Sequence, residues 1–106
     1  MSQSVRFLLT LALASSMAGS LSFAQSGEAV YKARCQSCHG ATGVPNPGIA
    51  KMMGVKPITA ETVKKMSEAQ MIEATKNGVA KMPAFKGKIS DADIANSVKH
   101  YRSLAK

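Results

Sequence analysis

Cys35-Gln36-Ser37-Cys38-His39 contains every cysteine in a chain of 106 residues. Two thiols three positions apart, followed at once by an imidazole, admit three chemistries. A lone Cys-x-x-Cys can be a thiol–disulfide redox centre, but that use expects a strand–helix–strand setting. No stretch here alternates apolar and polar residues over a strand's length. A structural zinc ion takes four ligands, usually from two Cys or His pairs. Only His100 remains outside the stretch, so there is no second pair. The third chemistry is covalent haem attachment, for which Cys-x-x-Cys-His is the known pattern. Thiols at this spacing reach the two vinyl groups of one porphyrin and form thioethers. The imidazole of His39 then lies under the iron.

A haem iron bound on one side by His39 leaves a second axial position to fill. The candidates are Met52, Met53, Met66, Met71, Met82 and His100. Methionine in a small core is most often a flexible gap-filler, which is how Met66 and Met71, in or beside helices, are read. Met52 and Met53 fall in a loop and are weaker rivals. Met82 differs by context, in Asn77-Gly-Val-Ala-Lys-Met82-Pro-Ala-Phe85. It follows a helix stop and precedes Pro83, which fixes the backbone. A rigid extended loop is expected to hold its thioether against iron. His100 sits well off the apolar face of the last helix by the helical period and reads as a surface histidine.

Around this stretch the patterning is helical. A helix is predicted from Gly27 to about Arg34. Residues 40–54, with four glycines and two prolines, read as loop. Thr59 caps a short helix over 60–65. Ser67-Glu-Ala-Gln70 is a capping-box pattern opening a helix that stops at Asn77-Gly78. Ser90-Asp91-Ala92-Asp93 caps the last helix and places acids at its positive end. Ile94, Val98, Tyr101 and Ala105 then form one apolar face. The fold class is all-α, with three to five short helices.

Residues 1–24 carry one of the chain's 14 basic residues, Arg6, and none of its 6 acids. Arg6, the apolar run from Phe7 to Ala14 and the small residues ending in Ala24 have the order of a secretory signal peptide. Cleavage is expected after Ala24, leaving 25–106 as one exported domain with no membrane span, in the periplasm. That domain is basic and has a single leucine, Leu104. So small a chain is marginal on surface-to-volume grounds, and with so few large side chains a bound group is expected to supply apolar bulk.

Three separated motifs, spread over nearly all of 27–105, resemble the small class I (monohaem) c-type cytochromes of the soluble bacterial type. Gly27…Tyr31…Cys35-x-x-Cys38-His39-Gly40 is similar to that family's first helix and attachment site. Asn77-Gly78…Met82-Pro83-Ala-Phe85 is similar to its distal ligand loop, and Ser90-Asp-Ala-Asp-Ile94…Tyr101-x-x-Leu104 to its last helix. The resemblance implies one covalent haem c, with its iron between His39 and Met82. It also implies crossing first and last helices, with Gly27 and Tyr31 packed against Tyr101. A proline carbonyl should accept the imidazole N–H of His39; Pro47 matches that role best, with Pro45 close by. Residues 50–65 match the family only loosely and leave the haem propionate partners undefined.

A His/Met pair closes both axial positions, so electron transfer is the expected function and enzymatic turnover is not. The thioether raises the reduction potential relative to more strongly donating ligands. Lys81, Lys86 and Lys88 flank Met82 and Phe85 and suggest a basic docking surface for an acidic redox partner, steered by charge. Export and the lack of a binding motif speak against nucleic acid, and a monomer is expected. The alternatives are a haem subunit of a larger oxidoreductase and, less favoured, a ligand sensor with a displaceable Met82.

Overall fold

A computed structural model describes residues 25–106. The proposed signal segment and its cleavage site after Ala24 lie outside the described residues, apart from Gln25 on the far side of the cut. Among the described residues there are six helices: α1 (Gly27–Arg34), α2 (Gln36–His39), α3 (Pro47–Met53), α4 (Ala60–Lys65), α5 (Glu68–Asn77) and α6 (Asp91–Ser103). Beyond the helices, only two isolated bridges form.

The caps read from sequence hold. The Thr59 and Ser90 hydroxyls accept from the amides of Thr62 and Asp93. Ser67 and Gln70 form the reciprocal capping box, with bonds of 3.1 and 2.8 Å, which satisfies two otherwise orphaned donors.

Two of the six helices, α2 and α3, are not among the four located from the sequence. The haem-motif residues themselves make one turn, α2. The supposed loop 40–54 contains α3, and the residues read as loop-formers are its punctuation. Asn46 Oδ1 accepts from the amide of Gly48 at 2.9 Å, and Pro47 occupies the first turn. Gly54 closes the helix in the left-handed conformation at φ 69°. Proline at a helix start and glycine just past its end are where these residues cost least.

The first and last helices cross, as expected, and share the most extensive helix–helix contact. A Cβ on Gly27 would overlap the carbonyl of Asn96 and press on His100. Gly27 therefore packs closely on Asn96 and His100. Tyr31 does meet Tyr101: the rings stack at 5.9 Å with a 19° interplanar angle. The Tyr31 ring also meets His100 at 5.1 Å, and the presumed surface histidine is half-buried at the crossing. The buried apolar core is small: Val30, Tyr31, Ile58, Met71, Ile94 and Val98. Arg102 ties α4 to α6. Its guanidinium donates to the carbonyls of Met66 (2.6 Å) and Val63 (3.3 Å), the free acceptors at the end of α4.

Candidate haem site

Between α2, α4, α5 and α6 lies a cavity of about 240 Å³ with a mainly apolar wall. Cys35 and His39 line it from the attachment motif, and Met82 lines it from the turn after α5. The chain thus brings together residues 47 positions apart that the sequence connects only by context and resemblance.

Each is held by local structure. The turn Cys35–Gly40 is closed by bonds from the amides of His39 and Gly40 to the carbonyls of Cys35 (3.0 Å) and Gln36 (2.8 Å). Gly40 has φ 83°, and a Cβ there would strike the carbonyl of Val44; only glycine suits both demands. Met82 sits at the end of a tight turn, not in the expected extended loop. The amides and carbonyls of Val79 and Met82 bond reciprocally at 3.2 and 2.8 Å, with Ala80 at φ 52°. The chain beyond is fastened to α5 by Phe85 N–H to Thr75 C=O (3.0 Å) and Lys86 N–H to Lys76 C=O (3.2 Å).

Burial sets the electrostatics. It pushes the Cys35 thiol up and holds His39 below the usual imidazole range. A raised thiol is a poor thiolate, which weighs against a thiol–disulfide centre. The two cysteines are free of one another. His39 Nδ1 is buried without a hydrogen-bond partner, and neither Pro47 nor Pro45 supplies one. Pro45 is buried and lies beside Gly40, whereas Pro47 is exposed at the start of α3. The ring of His39 is packed against Tyr101 at 4.8 Å.

The methionines separate by position. Met52 is exposed, and neither it nor Met53 lines the cavity. Met71 lines it, but its sulfur is 3.6 Å from an Arg102 N–H. Met66 lines it from the end of α4. Three contributors escaped the sequence reading: Arg102, Tyr31 as a donor to the Gly40 carbonyl, and Lys81 as a donor to the Met52 carbonyl. Only the helix-end position of Arg102 gave any sequence signal.

The family model described as cytochrome C oxidase, cbb3-type, subunit III matches residues 22–100. The chain belongs to this family of c-type cytochromes. Among its relatives, the cytochrome c6 of Picosynechococcus sp. is 38% identical over 78 residues, covering 69% of this chain and 66% of that protein. The cytochrome c6 of Synechocystis sp. is 35% identical over 69 residues, covering 64% of this chain and 54% of that protein. The chain thus spans about half to two thirds of the length of these relatives. A solved structure, the KustC0563 c-type cytochrome, superposes with a TM-score of 0.71 at 27% identity, over 77% of this chain and all of that one.

The cytochrome carries haem c with its iron, and one Cys-x-x-Cys-His motif makes it monohaem. The residues present fit the group. The cavity is apolar, as a porphyrin face requires. It is walled by an attachment cysteine, by the motif histidine with its orphaned buried nitrogen, and by a thioether from elsewhere in the chain.

Proposed function

We propose that this cytochrome carries single electrons between redox proteins in the periplasm and is not itself an enzyme. The observation that carries the reading is the shared lining of one apolar cavity by His39 and Met82. When bound, the haem supplies a one-electron ferric/ferrous couple. Cys35 and Cys38 would hold it by thioethers, while His39 and Met82 would take the two axial positions. Met82 is preferred over Met71, whose sulfur is engaged by Arg102, over Met52 and Met53, which lie off the cavity, and over Met66 on the family resemblance of the Met82-Pro83 loop. With both positions filled by protein, no site is open to a substrate.

The proline carbonyl accepting from His39 Nδ1 is assigned to Pro47 by family resemblance, with Pro45 the neighbour nearer Gly40. Such a bond would orient the ring and raise its basicity. Removal of residues 1–24 as a signal peptide would leave its new ammonium on Gln25, whose nitrogen already sits 2.9 Å from Asp93 Oδ1. Charge would strengthen that bond. Export of a single-domain monomer fits a described chain in which no helix is long and apolar enough to cross a membrane. The exposed Lys86 and Lys88, with Lys81 beside them, would favour an acidic partner surface.

The test is the visible spectrum of the matured, dithionite-reduced protein before and after carbon monoxide. An unchanged spectrum is expected. A rapid, saturating shift would show an open sixth position and remove Met82 from its role. A second reading, a haem subunit of a larger oxidoreductase, is favoured by the description of the matching family. Co-purification with a large subunit at stoichiometric yield would select it over a diffusing carrier.

A further inference from the structure

Tyr31 occupies a core-facing position of α1 that phenylalanine would fill as well, yet it carries a hydroxyl into a site only 1% exposed. A buried hydroxyl without a partner is costly. This one donates to the carbonyl of Gly40 at 2.5 Å. Gly40 directly follows His39, its amide is bonded to Gln36, and the Val44 carbonyl fills the place of a Cβ. Gly40 is therefore held from three sides, and one hold is the Tyr31 hydroxyl on its carbonyl.

The same side chain reaches His39 by a second route. The Tyr31 ring stacks on Tyr101 at 5.9 Å, and the Tyr101 ring lies against the His39 imidazole at 4.8 Å and 59°. The contacts close a circuit: hydroxyl to Gly40, Gly40 to His39, imidazole to Tyr101, Tyr101 back to Tyr31. With His39 Nδ1 unpaired, this circuit is the set of described contacts that bears on the ring's plane.

We propose that Tyr31 is a positioning residue for the His39 imidazole, acting through its hydrogen bond to Gly40 and its stack on Tyr101. The proposal rests on the reading of His39 as iron ligand. Deleting the hydroxyl frees the Gly40 carbonyl and loosens the residue that directly follows His39, while the packing of the ring stays. A residue that only filled the core would pass this change without altering the iron's surroundings.

The experiment compares the holoprotein with its Tyr31→Phe variant, and with Ala33→Ser as an exposed control on α1. Proton NMR of the ferric state reads the hyperfine-shifted imidazole resonances of His39, and voltammetry reads the potential. The expected result is a displacement of both in Tyr31→Phe beyond that in Ala33→Ser. Wild-type resonances and potential in Tyr31→Phe, with or without a lower melting temperature, overturn the proposal. If Tyr31→Phe does not mature, 3-fluorotyrosine placed at position 31 alone keeps the shape and acidifies the hydroxyl. The same two readouts are then expected to move, and their constancy overturns the proposal. The wild-type spectrum separates the two failures beforehand. Without hyperfine-shifted His39 protons, the ligand assignment falls, and the proposal with it, before any variant is made.

Discussion

The ammonium of Lys81 donates to the carbonyl of Met52 at 2.6 Å, joining the turn that presents Met82 to the last turn of α3. Carbonyls at a helix C-terminus lack intrahelical partners and favour cations. A lysine next to the proposed ligand thus straps its turn to a separate segment of the fold. Lys81→Ala should lower stability by about 1 kcal/mol or less, because the contact is solvent-exposed. It should also let carbon monoxide shift the spectrum of the reduced protein, where the wild type is expected to show no change, with Lys81→Arg recovering much of the wild-type behaviour. An unchanged spectrum in Lys81→Ala as well would show that the strap does not restrain Met82.

Arg102 serves two carbonyls and a sulfur at once. Arg102→Met removes those donors and leaves the end of α4 unpaired, at a cost of about 2 kcal/mol. For a domain of this size the melting temperature should fall on the order of 10 °C. Arg102→Lys should recover only part of this, since one ammonium does not reproduce a planar fork. Calorimetry of the two holoproteins checks the ranking.

Gly27→Ala sets two effects against each other. Alanine is the better helix former by up to about 1 kcal/mol, but its Cβ would overlap the Asn96 backbone carbonyl. Overpacking costs about 1–3 kcal/mol, and a backbone atom cannot rotate away as a side chain can. Net destabilisation is expected, visible as a lower denaturant midpoint. An unchanged or raised midpoint would show that the helix crossing can open without penalty.

Burial raises both tyrosine hydroxyls, Tyr31 far above the ordinary phenol range. In the unfolded chain each ionises near pH 10, while the folded protein holds them neutral. The contribution is fully present below that pH and is lost progressively above it. Denaturant midpoints measured from about pH 8 to pH 11 should fall at the alkaline end. The fall should be shallower in Tyr31→Phe, and an equal slope in both proteins would remove Tyr31 from the account.

The core without haem is small: among the described residues, five apolar side chains besides Tyr31 are buried. The Cys35→Ser, Cys38→Ser double variant, prepared free of haem, should show no cooperative thermal transition. A sharp calorimetric peak from that variant would mean the polypeptide folds without the porphyrin's apolar bulk.

Local signals carried much of the architecture. α1 and α4–α6 were legible because their caps are short-range bonds between residues three apart, as in Ser67 with Gln70. α3 was not, because Pro47 and Gly54 punctuate a helix with the same residues that build a loop. His100 was misplaced because helical periodicity gives an angle on one helix and not the identity of the helix that covers it; here α1 crosses it through Tyr31.

The sequence by itself determined the attachment chemistry, since Cys35, Cys38 and His39 are neighbours in the chain and their spacing is covalent. It also determined which short segments begin and end as helices. Tertiary structure alone decided what lies around His39 and Met82. The Met82 turn is tied to Met52, the end of α4 to Arg102, and Gly40, next to His39, to Tyr31. These bonds join residues as far as 39 positions apart. Contacts at that range depend on how the helices cross, and no local propensity encodes a crossing.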